Sequence, residues 1–354
     1  MLYYADYLAL DAVLGAQHPE SDKHGAPAHD EMLFIITHQT FELWFKQVLF
    51  EVGSIIAKLN SEYVHESEIA LCLSRLQRVN RIMEHLAAQF TIIETMSPGE
   101  FMDFRHFLNP ASGFQSLQWR TLERTLGLKD QRRVMKSYTE SLTDTHKRDL
   151  ETATSGPTLF DVVERWLENL PFMQHGDFTF WEAYQVAVKN MFQRDRTDIR
   201  ALAEVEHRDP AEALAQIDAS ERGFLALFDE TTYSDLIEKG ARRLSQRATL
   251  ATLFIATYRS EPLLQTPYRF LDAIIELDKF VSLWRFRHVM MVSRMIGMRV
   301  GTGGSSGHDY LTATIKQRVF DDLTSLSSFL LPRIHAPQLP KEIVDRLQFV
   351  NEAR

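Results

Sequence analysis

Eight residues, Ile69, Cys72, Leu76, Val79, Met83, Leu86, Phe90 and Ile93, follow one another at alternating steps of three and four, and no other feature constrains the fold as tightly. Steps of that kind put all eight on one stripe of an α-helix, whereas a strand would scatter them over both faces. The spacing predicts a bundle helix packed along its whole length. It must stop before Ser97-Pro98-Gly99-Glu100, where Ser97 suits an N-cap, Pro98 the first helical position, and Glu100 the return bond of a capping box. A new short helix is therefore expected from about Pro98.

The same periodicity dominates the rest of the chain. With only 15 Gly and 12 Pro in 354 residues and no alternating runs joined by hairpin turns, the fold class is all-α, a large helical bundle. Asn109-Pro110-Ala111-Ser112-Gly113 reads as a turn, Phe114 to Leu126 as a helix, and 130 to 158 as polar and irregular. From about 190 to 232 charge is dense and large apolar groups are sparse, as in a solvated helical excursion. No repeat and no Gly/Ser linker divides the chain, so one domain over 1–354 with a helical insertion is expected.

Charge and cysteine content narrow the function. The formal charge is 39 − 48 = −9, which is unsuited to a phosphate backbone or an anionic membrane and favours small-molecule chemistry. Cys72 is the only cysteine, so an intrachain disulfide, a thiolate zinc site and a four-cysteine iron–sulfur cluster are excluded. Neither a signal peptide nor a membrane-spanning run is evident. A cytoplasmic protein that binds no nucleic acid and no membrane is expected.

Two helical stretches carry polar groups in apolar surroundings. In the first, Phe34, His38, Glu42 and Phe45 share a face, so a polar pair interrupts an aromatic stripe. His38 there reads either as a core histidine bonded to Glu42 or as a functional group. In the second, His288 sits mid-stripe among Val281, Trp284, Met291 and Met295, with Arg285, Arg287, Arg294 and Arg299 on other faces. Burial would favour the neutral imidazole that ligates a metal, although a satisfied core histidine has the same signature. With no cysteine cluster or carboxylate triad nearby, an isolated histidine suits haem iron better than bare zinc. Gly301-Thr302-Gly303-Gly304-Ser305-Ser306-Gly307 superficially resembles a phosphate loop, but no Lys follows its last glycine and a helix rather than a strand precedes it.

Three stretches together resemble the tryptophan 2,3-dioxygenase family: residues 29–51, ETMSPGEFMDFRHFLNPASGFQSLQWR at 94–120, and WRFRHVMMVSRMIGMRVGTGGSSGHDYL at 284–311. Tyr4-Ala5-Asp6-Tyr7-Leu8 and Lys239-Gly240-Ala241-Arg242-Arg243-Leu244-Ser245 extend the likeness over most of the chain.

The resemblance implies haem b, ferrous in the active form, with His288 as its axial ligand, and O2 as co-substrate. It places His38 on the distal side as the catalytic histidine, within reach of the indole N–H of L-tryptophan. It implies Phe34 and Phe101 against the indole, Arg105 on the carboxylate, and Ser112 and Thr302 among the substrate contacts. Some family members carry Tyr where this chain has Phe101, so one hydrogen bond to the carboxylate is absent here. Tyr4 and Tyr7 match positions that reach a neighbouring subunit's site, which implies a homo-oligomer, usually a homotetramer. The implied product is N-formyl-L-kynurenine. A haem carrier or sensor would share the axial histidine but has no need of Arg105, and a related monooxygenase would insert one oxygen atom instead of two.

Overall fold

The computed structural model of the protein describes residues 1–128, 142–297 and 307–348. Helices account for nearly all of its regular structure. In chain order they are α1 Tyr4–Leu8, α2 Leu10–Leu14, α3 Glu20–Lys23, α4 Glu31–Leu59, α5 Glu66–Ile93, α6 Pro98–Arg105, α7 Leu117–Leu126, α8 Asp144–Ala153 and α9 Leu159–Glu168. They continue with α10 Phe180–Glu206, α11 Ala211–Leu225, α12 Glu230–Glu238, α13 Gln246–Thr257, α14 Pro262–Ile296, α15 Gly307–Thr314, α16 Asp321–Ser325 and α17 Lys341–Leu347. The described strands, Gln174–His175 and Phe178–Thr179, form one small antiparallel hairpin. The all-α expectation holds.

Local signals placed the ends well. All eight seam residues of α5 are at most 2% exposed, and burying side chains of that size contributes roughly 1.5–3 kcal/mol each. At the start of α6 the Ser97 amide donates to Glu100 Oε2 at 2.6 Å, and the Glu100 amide donates to Ser97 Oγ at 3.3 Å. That is the capping box in full. α7 begins three residues later than its spacing suggested, because Gly113–Gln115 forms a 3₁₀ turn and Ser116 then caps the helix, its Oγ accepting from the Trp119 amide. It ends at Gly127, whose φ of 110° is a left-handed conformation suited to glycine. Asp144–Ala153, within a stretch expected to be irregular, is the helix α8, capped by Thr143.

The chain forms two compact units. One comprises Met1–Ala57, Arg75–Leu159 and Glu276–Val319, the other Lys58–Ser74, Phe160–Ile275 and Phe320–Arg354. Each is drawn from three separate stretches, so no single point along the chain parts them. The first unit is centred on aromatic side chains of α4, α5, α7 and α14, where Phe41, Phe45, Phe90, Trp119 and Trp284 are all buried. The second packs Phe180, Tyr184, Phe254 and Phe270 in its interior. It also carries the expected excursion, in which α10 beyond Phe192 buries only Ala203 and Arg196 pairs with Asp218 and Glu221 of α11.

Candidate active site

One cavity in the first unit gathers most of the residues that the sequence pointed to. Phe34, His38, Phe101, Arg105, Ser112 and His288 all line it. Its walls are largely aromatic, with Phe41, Phe45, Phe90, Trp119 and Trp284 beside these residues. Tyr4 and Tyr7 are not part of it; both lie on α1, 75% and 72% exposed. Thr302 lies outside the described residues.

α4 presents His38 to this cavity through an unusual local bond. Nδ1 lies 2.7 Å from the Phe34 carbonyl one turn earlier, and a carbonyl only accepts, so Nδ1 carries the proton. In the neutral ring the lone pair is then on Nε2, which has no hydrogen-bond partner among the described residues. Burial lowers the His38 pKa, with the Phe34 carbonyl and the Glu42 carboxylate acting in the opposite direction. The neutral acceptor form is thereby favoured. The alternative of a core histidine satisfied by Glu42 is not what forms. Glu42 instead accepts from Ser116 Oγ at 2.6 Å and from Gln118 Nε2 at 2.9 Å, and so ties α4 to the first turn of α7.

Phe34 and Phe101 meet with centroids 5.6 Å apart. Phe104, fully buried behind them, touches both at 5.5 and 5.4 Å. Phe104 was not singled out from the sequence, although its place three residues after Phe101 on α6 was a signal for it. Arg105 follows as the last residue of α6, carried to the cavity by the helix that the capping box starts.

From α14, His288 enters half-buried, its ring 5.3 Å from Trp284 and 6.0 Å from Phe90. Burial, reinforced by the nearby His38 and the Arg120 guanidinium, pushes its pKa down to about 4. The ring is neutral at physiological pH, and neither nitrogen has a hydrogen-bond partner among the described residues. Trp284 Nε1 is likewise a buried donor without a partner there. Arg285, on another face of α14 than the apolar stripe, is buried and paired with Glu123 of α7.

These residues fit a haem. A neutral histidine with an uncommitted nitrogen opens onto a cavity walled by aromatic side chains, the kind of surface a flat macrocycle packs against. No group of three His, Cys, Asp or Glu side chains converges as a ligand set among the described residues, so an iron held here needs equatorial ligands of its own, as a macrocycle supplies.

Comparison with known proteins gives a consistent result. A family model described as tryptophan 2,3-dioxygenase matches residues 1–330. A tryptophan 2,3-dioxygenase of Bdellovibrio bacteriovorus is 43% identical over 98% of this chain and 98% of its own. That of Dictyostelium discoideum is 39% identical over 98% of this chain and 88% of its own. Tryptophan 2,3-dioxygenase B of Danio rerio is 41% identical over 97% and 85%.

Proposed function

Because the chain belongs to the tryptophan 2,3-dioxygenase family, we propose that the cavity of its first unit is where L-tryptophan meets O2, on a haem b held by His288. The chain is a tryptophan dioxygenase, and the reaction adds both atoms of O2 across the indole C2–C3 bond to give N-formyl-L-kynurenine. The observation that carries the site reading is the pair of neutral histidines lining one aromatic cavity together with Arg105.

Haem with ferrous iron supplies the binding and activation of dioxygen. The protein's residues do the rest. His288 offers a neutral nitrogen as axial ligand. His38 Nε2, left as the acceptor by the Phe34 carbonyl, takes the indole N–H and so orients the ring. Phe34 and Phe101 cover the apolar indole faces and exclude water. Arg105 offers a planar fork to the carboxylate, while Ser112 and Thr302 complete the amino-acid end.

The N-terminus supports an oligomer. Neither α1 nor α2 has a buried residue, and Tyr3, Tyr4, Tyr7 and Leu14 are all exposed. An apolar arm of this kind suits a neighbouring subunit, and we assign a homotetramer in which Tyr4 and Tyr7 close another copy's site. We place the enzyme in the cytoplasm, in keeping with one cysteine in 354 residues. Among the described residues no helix is long and apolar enough to cross a membrane.

The test is a single turnover of the ferrous enzyme with L-tryptophan and isotopically labelled dioxygen. Both labelled atoms should appear in one product molecule. One label, or no tryptophan-dependent oxygen uptake, contradicts the reading.

A further inference from the structure

A histidine that ligates a metal ordinarily donates its second ring N–H to a carboxylate, a carbonyl or water, and that bond fixes the ring plane. His288 has no such protein partner among the described residues, so the packing around it has a larger share in setting its orientation. The turn of α14 before it supplies two anchors. Trp284, four residues back, and Arg285, three back, flank His288 on the helix surface, and both reach α7. Trp284 stacks on Trp119 with centroids 4.1 Å apart and planes 29° from parallel. Arg285 Nη2 donates to Glu123 Oε1 at 2.7 Å, both side chains being at most 5% exposed. Trp119 and Glu123 are one turn apart on α7, so neighbouring residues of α14 grip a single face of α7.

The Arg285 guanidinium is committed on its other side as well. Its Nη1 donates to the Gln317 carbonyl at 2.6 Å and reaches the Thr314 carbonyl at 3.4 Å, at the C-terminal end of α15. A cation there complements the helix dipole. Glu123 in turn accepts from Arg120 Nη1 at 3.2 Å. Such a buried ionic cluster has no general advantage in stability over a well-packed apolar one. Its advantage is direction: a charge-assisted bond fixes angle and distance where apolar contact leaves both loose.

We propose that Glu123 and Arg285 are positioning residues for the reaction: their buried ion pair locks the turn of α14 beneath His288 against α7, and so holds the imidazole plane that a hydrogen bond to the ring would otherwise hold. The proposal rests on the reading of His288 as axial ligand. Trp284 transmits the lock, because its ring stacks on Trp119 and also lies 5.3 Å from the His288 ring.

The experiment uses the haem-loaded enzyme with Glu123→Gln, Glu123→Ala and Arg285→Lys. Three quantities are read: the iron–histidine stretching band of the ferrous form, the rate of haem transfer to an excess of a scavenging apoprotein, and kcat and KM for tryptophan taken separately. Glu123→Ala should broaden or shift the band, speed haem loss and lower kcat by roughly ten- to a hundredfold, the scale of a small misplacement. KM should change by no more than about twofold, because the amino-acid contacts are untouched. Arg285→Lys should resemble it, since an ammonium lacks the fork. Glu123→Gln keeps shape and an acceptor oxygen and should fall between, which preserves the test if the alanine variant does not fold. A merely structural pair would lower Tm while leaving band and kcat at wild-type values, and that result overturns the proposal. His288→Ala separates the two levels. If it loses the band while the Glu123 variants keep theirs, the clamp alone is wrong; if it retains the band, the assignment of His288 fails and the clamp with it.

Discussion

α4 and α10 are close in length, 29 and 27 residues, yet they handle polar groups in opposite ways. α10 buries Tyr184 and spends its polar end completely: the hydroxyl donates to the Phe329 carbonyl at 2.7 Å and accepts from the Leu331 amide at 3.0 Å. Its Arg196 pairs with Asp218 and Glu221 of α11. α4 buries His38 and commits only one of its two ring nitrogens. A polar atom carried into the interior and left without a protein partner costs free energy, and His38, Trp284 and His288 each bring such an atom to the cavity of the first unit. Tyr184 is satisfied from within the protein, whereas His38 keeps one nitrogen for a ligand.

The sharpest way to break this contrast is at Arg105. Arg105→Leu should lower kcat/KM for L-tryptophan by roughly ten- to a hundredfold, the equivalent of losing a charge-assisted pair of about 1.5–3 kcal/mol. Arg105→Lys should already cost about tenfold, because the ammonium lacks the planar fork. Haem content should stay normal in both. In the wild type, tryptamine should be a worse substrate than indole-3-propionate, since it leaves the guanidinium without its anion. Steady-state kinetics with the three substrates decides this, and wild-type efficiency in Arg105→Leu would refute the carboxylate clamp.

A smaller loss is expected for His38→Ala, about tenfold, with haem still bound, because the lost hydrogen bond orients the ring and does no more. 1-Methyltryptophan should be poor for the wild type and no longer disfavoured in the variant. pH sharpens the point. With its pKa lowered by burial, His38 stays neutral as pH falls through the ordinary histidine value near 6.5 and protonates only below it. The acid limb of kcat/KM assigned to His38 should therefore lie below pH 6.5 and vanish in His38→Ala; a limb above 6.5 would contradict the lowering of its pKa by burial.

Removing residues 1–7 should lower activity severalfold without emptying the haem site, a size expected of lost closure. In mixed oligomers, a truncated chain combined with an Arg105→Leu chain should recover activity if sites are shared, and no recovery would mean self-contained sites. The smallest effect belongs to α10: Arg196→Ala breaks the pairs to Asp218 and Glu221 and should lower Tm slightly while kcat/KM stays at the wild-type value. A change in turnover there would erase the distinction between the two helices.

How much of this could be read from residues alone varied with sequence distance. The α5 seam, the capping box at Ser97 and Glu100, and the shared face of Phe34, His38, Glu42 and Phe45 are all written within a few turns, and each appears in the structure. The partners of those faces were not legible. Glu42 satisfies α7, 74 and 76 residues away, and not His38; Arg285 meets Glu123 across 162 residues, where spacing gave only a face other than that of the apolar stripe. Helical periodicity states which residues point together and is silent on what they meet. The roles of His288 and Arg105 came from family resemblance, and the structure adds that both line the same cavity as His38.

The claim at the centre, that this cavity holds haem on His288 beside the tryptophan site, is tested most directly by the absorbance spectrum of the ferrous protein before and after L-tryptophan, in wild type and in His288→Ala. We expect a haem band in the wild type that shifts on adding tryptophan, and in His288→Ala the loss of most bound haem and of the shift. A His288→Ala protein with the wild-type band and the wild-type tryptophan response would contradict it.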